Sequence, residues 1–236
     1  MGPRVVTLYS FKGGVGRTVL AANLGAIFAR RGRTLLWDLD LEAPGLHRIP
    51  DLRPEREPEA GFFEWLAGWQ KSGARPEDSD VEALRRTIRQ ASRISRNLHV
   101  LQAFGAAADI VARYDDVDWS TLFGLRTGQG IPLFRALIQR LGEGPDGFET
   151  ILLDSRTGIT DIGGLLTAIL PHVTVLVGSY SAQNTHGLAY VWRALERYAE
   201  GKTAERGSSR AAPSAGGFAD PPGRSGLDRG RPKDLA

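Results

Sequence analysis

Ser10-Phe11-Lys12-Gly13-Gly14-Val15-Gly16-Arg17-Thr18 decides how this chain reads. Before it, Val5–Tyr9 is a strand-like run of β-branched and aliphatic residues. After it, Thr18–Arg30 reads as a helix with Leu20, Leu24, Ile27 and Phe28 on one face and Gly32 as its stop. A glycine-rich loop between a strand and a helix wraps phosphates, because glycines permit the φ values that turn successive backbone N–H groups inward. The helix N-terminus then adds partial positive charge. In that setting Thr18 would ligate Mg²⁺. Against the general pattern G-x-x-x-x-G-K-[ST], Phe11 replaces the first glycine and Arg17 the lysine. Taken alone, the loop also fits a glycine-rich turn that binds nothing.

Two further segments bear on that choice. Thr34–Asp38 reads as a second strand, and Leu35-Leu36-Trp37-Asp38-Leu39-Asp40 ends it in two carboxylates at i and i+2. Both then project from one side near the carboxyl end of the sheet, where α/β proteins bind ligands. Loop-capping aspartates are the alternative for this pair. Thr150-Ile151-Leu152-Leu153-Asp154 is an apolar strand closing in an aspartate, as expected of a residue holding a Mg²⁺-bound water, and Ser155-Arg156-Thr157-Gly158 follows it.

Farther out, Leu98–Leu101 and Val173–Val177 read as strands, and Gly61–Trp69, Val81–Ser92, Ile131–Leu141 and Gly187–Glu200 as helices. The alternation predicts an α/β fold, a mostly parallel sheet with helices on both faces. Ile151–Leu153 and Val173–Val177 do not alternate, as expected of central strands buried on both sides. The 236 residues contain no cysteine, which excludes disulfides, thiolate metal sites and a cysteine nucleophile. The longest apolar run, Leu165–Val177, is broken by Pro171 and His172, so neither a membrane span nor a signal peptide is read, and a cytoplasmic location is the default. Residues 1–200 balance their charges, and the net charge of +3 lies in 201–236. That stretch is rich in glycine, proline and arginine with Phe218 as its one aromatic, and is expected to be a disordered tail after a single domain of residues 1–200.

Lys12-Gly13-Gly14-Val15-Gly16-Arg17-Thr18 resembles the deviant Walker A motif of the ParA/MinD ATPases, K-G-G-x-G-K-[ST], in its KGGVGR variant. Asp38-Leu39-Asp40 with Leu41-Glu42-Ala43-Pro44-Gly45 resembles that family's second motif, and Asp154-Ser155-Arg156-Thr157-Gly158 its Walker B and switch segment. The resemblance implies a P-loop fold that binds ATP with Mg²⁺. Gly13, Gly14, Val15 and Gly16 would form the phosphate cradle, and Gly158 would sense the γ-phosphate. Thr18, Asp38 and Asp154 would hold the metal, and Asp40 would position the attacking water. Lys12 would reach across an ATP-dependent homodimer to the partner's phosphates, and Arg17 would keep the charge of the replaced lysine in a planar, bulkier form. The family adds a further strand and adenine-contacting residues after the unit ending near Glu200. This chain there enters its tail, so the sheet is expected to be incomplete on that side.

The leading reading is a Mg²⁺-dependent ATPase that switches between ATP-bound dimer and released monomer, acting on an unidentified protein partner. A nucleotide-binding regulatory module with little or no hydrolysis, acting on a signalling or defence partner, is the alternative that Arg17 allows. A bacterial tyrosine kinase shares the motifs but should carry a C-terminal tyrosine cluster, and no tyrosine follows Tyr198. Arg85, Arg86, Arg89, Arg93 and Arg96 read as one basic helical face, suited to DNA or an anionic membrane surface and more readily a solvated face. Trp65 and Trp69 are expected in the core, Asp115, Asp116 and Asp118 as loop and cap residues, and His47, His99, His172 and His186 as structural. Arg156 is read as a γ-phosphate contact or as one half of a surface ion pair.

Overall fold

The computed structural model describes residues 2–72, 76–106, 116–123, 128–158 and 165–208. Among the described residues six strands form one sheet: β1 (Arg4–Ser10), β2 (Thr34–Leu39), β3 (Arg89–Gln90), β4 (Leu98–Leu101), β5 (Thr150–Ser155) and β6 (Val173–Val177), in the order β3-β4-β2-β5-β1-β6. All pairings are parallel except β3 with β4. The helices are α1 (Arg17–Phe28), α2 (Phe62–Ser72), α3 (Asp78–Thr87), α4 (Trp119–Phe123), α5 (Gly130–Leu141) and α6 (Ala182–Ser208). Met1–Tyr198 is one compact unit and Ala199–Ala236 a second, of which the described part is the end of α6.

The predicted α/β sheet is present, and its order positions the site. β5 lies between β1 and β2, in a register that pairs Asp154 with Leu8 on one side and with Asp38 on the other. The glycine-rich loop after β1 and both aspartate-bearing strand ends thus meet at one edge, the place where open α/β sheets bind ligands. β5 has the continuous burial expected of a central strand, Ile151, Leu152 and Leu153 being fully buried. β6 does not: it pairs only with β1 among the described residues, and Val173 is 50% exposed. Among the described residues β6 is the outermost strand on that side, so its apolar run is not covered on both sides.

One face of the sheet packs Trp37 edge-on to Phe62 at 4.8 Å and stacked with Phe134 at 5.6 Å. Trp65 and Trp69 are buried and stacked on that side, and the Trp65 indole donates to the Asp80 carbonyl. The other face is covered by α1, which turns small residues inward: Ala21, Ala22 and Ala29 are buried, and a Cβ on Gly25 would lie 3.2 Å from Leu98. The expected apolar face is partly outside instead, with Ile27 half exposed. The helix lies too close to the sheet for large side chains beneath it.

Two helices differ from the sequence reading. The segment Val81–Ser92 is not one helix, because α3 ends at Thr87 with Ile88 extended, and β3 then pairs antiparallel with β4. The supposed basic face is therefore split, and Arg85 donates to the carbonyls of Arg140 and Glu143. α6 continues past Glu200 to Ser208, so residues 201–208 of the predicted tail are helical, while 209–236 lie outside the described residues. Asp118 caps α4 by accepting from the backbone and hydroxyls of Ser120 and Thr121. Asp115 lies outside the described residues. His172 acts structurally, its Nδ1 accepting the Val5 N–H at 3.0 Å.

Candidate functional site

The loop from Phe11 to Gly16 turns through two left-handed positions, Gly14 at φ 75° and Gly16 at φ 84°. Gly16 is the N-cap of α1, so the backbone itself sets the loop against the helix start. Cβ atoms on Gly13, Gly14 and Gly16 would meet nothing within 4 Å, so no described residue packs against the loop where its glycines lack side chains. Phe11, where the general pattern has glycine, has its own partner: a Cβ on Gly187 of α6 would lie 2.1 Å from the Phe11 ring. The aromatic ring fills the notch that this glycine leaves.

Behind the loop is a buried ionic cluster. Arg17, only 6% exposed, donates from Nε to Asp154 Oδ1 at 2.6 Å, from Nη2 to Asp40 Oδ2 at 2.8 Å and from Nη1 to Ser10 Oγ at 3.3 Å. Burial by itself would lower the Arg17 pKa, but the charges and hydrogen bonds of Asp154 and Asp40 outweigh it and raise the value. Burial pushes the Asp154 carboxyl upward, and Arg17 and the Thr18 hydroxyl pull against that shift. Removing one partner of such a buried pair costs on the order of 3–5 kcal/mol.

Asp38 plays a different part. Its Oδ1 accepts the Asp40 N–H, and its Oδ2 accepts those of Gly45 and Leu46, each at 3.1 Å. Asp38 therefore ties down the loop that follows β2. Burial, with the Asp154 charge adding, pushes its carboxyl up to about 7, while the three backbone N–H groups restrain it. Asp40 Oδ1 accepts from Ala43 in the same loop. Gly45 lets this loop lie on Thr18, since a Cβ there would be 3.1 Å from the Thr18 methyl.

The structure thus brings together Arg17, Thr18, Asp38, Asp40 and Asp154. Lys12 is half-buried on the loop and makes no hydrogen bond or ion pair among the described residues. Val15 lies on the same loop, and Gly158 follows β5, its carbonyl accepting the Tyr9 hydroxyl at 3.0 Å. Asp154 Oδ2 is buried with no hydrogen-bond partner among the described residues, and the Thr18 hydroxyl is close enough to Asp154 to favour its charged form. An orphaned carboxylate oxygen next to a threonine hydroxyl is a hard-oxygen donor set of the kind Mg²⁺ takes, commonly through water. This donor pair is compatible with a magnesium ion. Arg156 pairs with Glu42, the ion-pair alternative of the sequence reading.

Several participants carry no sequence signal of their own. Ser10 and Tyr9 are legible only once β1 is set beside β5. Gly187 looks like any helical glycine, although Phe11 at a glycine position is itself a sign that something must receive the ring.

A P-loop bracketed by two aspartate-bearing parallel strand ends defines a nucleotide-binding domain of ParA/MinD type. The profile of the CobQ/CobB/MinD/ParA nucleotide binding domain matches residues 6–192, and the chain belongs to that family. Among solved structures it resembles apo McdA of Cyanothece, 18% identical over 84% of this chain and 66% of that one, with a TM-score of 0.58. The cell division ATPase MinD of Pyrococcus furiosus is 24% identical over 84% of this chain and 68% of its own, with a TM-score of 0.52. The septum site-determining protein MinD of Pyrococcus horikoshii, complexed with Mg-ADP, is 19% identical over 83% and 65%, with a TM-score of 0.50. These likenesses establish the fold, and the chain spans about two thirds of the length of the first of these proteins. No curated protein matches it.

Proposed function

We propose that the chain binds ATP with Mg²⁺ at the Lys12–Thr18 loop and uses it as a dimerisation switch of ParA/MinD type, with slow hydrolysis. The observation that carries this reading is the meeting of the glycine loop with Thr18 and the unpartnered Asp154 Oδ2 at one strand edge. The Mg-ADP held by the P. horikoshii relative supports the ligand class.

Within this reading Gly13, Gly14, Val15 and Gly16 present backbone N–H groups to the phosphates, and Thr18 and Asp154 hold the metal. Asp38 acts through the loop it ties down and borders the same metal shell. Mg²⁺ supplies Lewis-acid neutralisation of the phosphate oxygens when bound. Asp40 accepts a hydrogen bond from the attacking water and so orients it, which phosphoryl transfer needs more than a strong base. Lys12, free of protein partners among the described residues, is available to a second nucleotide across a homodimer. The Gly158 N–H senses the γ-phosphate.

A second reading, a nucleotide-binding regulator that scarcely hydrolyses ATP, is favoured by one contact: Arg17 bonds Asp40, the group assigned to water. Parallel measurement of nucleotide affinity and turnover separates the two. Micromolar binding with release of phosphate supports the switch, and binding with no turnover supports the regulator. No helix among the described residues is long and apolar enough to cross a membrane, and we place the chain in the cytoplasm with a protein partner of unknown identity.

A further inference from the structure

Arg17 bonds two of the three site carboxylates, and the geometry is a matter of shape as well as charge. Nε and Nη2 lie along one edge of the guanidinium fork and address Asp154 and Asp40 together, whereas a lysine ammonium at the same place is a single point charge. Asp40 directly follows β2 and Asp154 lies near the end of neighbouring β5, so the fork is a rivet between the ends of β2 and β5 and the start of α1. Three of the five guanidinium N–H groups are committed, to Asp154, Asp40 and Ser10, which leaves one on each terminal nitrogen.

We propose that Arg17 is the resident counter-cation of this site and makes metal entry depend on nucleotide: while the fork bridges Asp40 and Asp154, a bare divalent cation finds its carboxylates neutralised and its place guarded by like charge. Phosphate, arriving at the two spare N–H groups, draws the guanidinium off Asp154 and brings its own metal. This rests on the nucleotide-site reading above and adds an order of entry to it. Arg17 is on this account a positioning residue for Asp40 and Asp154. The replacement of lysine by arginine in the loop is then functional, since only the fork can hold both carboxylates at once.

The test is Mn²⁺ binding by the full chain without nucleotide, read by electron paramagnetic resonance, for wild type, Arg17→Met, Arg17→Lys and Lys71→Met. Freed of the counter-charge, the metal position at Thr18 and Asp154 should bind Mn²⁺ about tenfold more tightly in Arg17→Met and about threefold more tightly in Arg17→Lys. Lys71→Met should stay within about twofold of wild type, because Lys71 on α2 pairs with Asp116 and with neither site carboxylate. Mn²⁺ alone should also raise the Tm of both Arg17 variants and not that of wild type, a response that a merely structural arginine would not produce. Wild-type Mn²⁺ affinity in the Arg17 variants overturns the proposal, as does an equal gain in Lys71→Met, which would reduce the effect to net charge. Arg17→Lys retains the charge and decides the matter if Arg17→Met does not fold. Binding of ATP to wild type in EDTA is measured alongside. Its absence removes the nucleotide reading and this proposal with it, whereas ATP binding with unchanged Mn²⁺ affinities removes only the proposal.

Discussion

The Phe11 ring occupies the space in front of Gly187, where a β-carbon would stand 2.1 Å from Phe11 Cδ1. The first residue of the phosphate loop is thereby seated on α6, and the loop cannot shift without disturbing that helix. Gly187→Ala should destabilise the protein by about 1–3 kcal/mol through overpacking. Phe11→Ala in the same chain should recover part of the loss, so that the two substitutions are non-additive in urea denaturation. Additive effects would show that the ring and the glycine are independent.

The buried Asp38 gives the fold a pH dependence of defined sign. Its carboxyl is raised to about 7 from an ordinary 3.8, so the folded protein retains a proton that the unfolded chain releases between those values. Stability contributed by that proton is present at low pH and lost as pH rises through about 7. Asp154, also raised by burial, acts in the same direction. Metal-free urea denaturation should therefore show stability falling from about pH 4 to about pH 7 and levelling above it, and Asp38→Asn should flatten the profile. A wild-type profile that rises over this interval contradicts the assignment.

Lys12 and Asp40 should separate dimerisation from hydrolysis. Lys12→Ala should abolish ATP-dependent dimerisation while nucleotide affinity of the monomer stays within several-fold. Asp40→Ala should trap the dimer by removing the group that orients water. Sedimentation velocity with ATP, with ADP and without nucleotide reads both. A wild type that stays monomeric with its nucleotide site saturated leaves only the regulator.

Residues 209–236 follow α6 with little apolar content, and their removal should shift the Tm by less than about 2 °C, as expected where few native contacts are lost. A larger loss, read by calorimetry of the shortened chain, would place part of that segment in the folded unit.

How far the sequence reached depends on which force sets each element. The glycine loop and the aspartates at the ends of β2 and β5 are local chemistry at strand termini, and their spacing already predicts that they converge. Val173–Val177 reads as a central strand, yet among the described residues it is outermost, because strand order is not a local property. The arginines after Leu84 sustain helical spacing, but pairing of Arg89 and Gln90 with β4 overrides it. α1 misleads in the opposite way, since the alanines and Gly25 that allow close packing score as weakly apolar. For Arg17 the substitution was visible and its partners were not: a lysine replacement reads as a phosphate contact until the register sets Asp154 beside it.

The central claim is that this loop and these aspartates hold a nucleotide with its metal. Titration of a fluorescent ATP analogue with and without Mg²⁺, for wild type and Thr18→Ala, tests it most directly. The account predicts saturable binding by wild type that Mg²⁺ strengthens, and a Thr18→Ala variant in which the Mg²⁺-dependent gain falls by roughly tenfold or more while metal-free binding is little changed. Equal affinities for wild type and Thr18→Ala in the presence of Mg²⁺, or no binding by either, would contradict it.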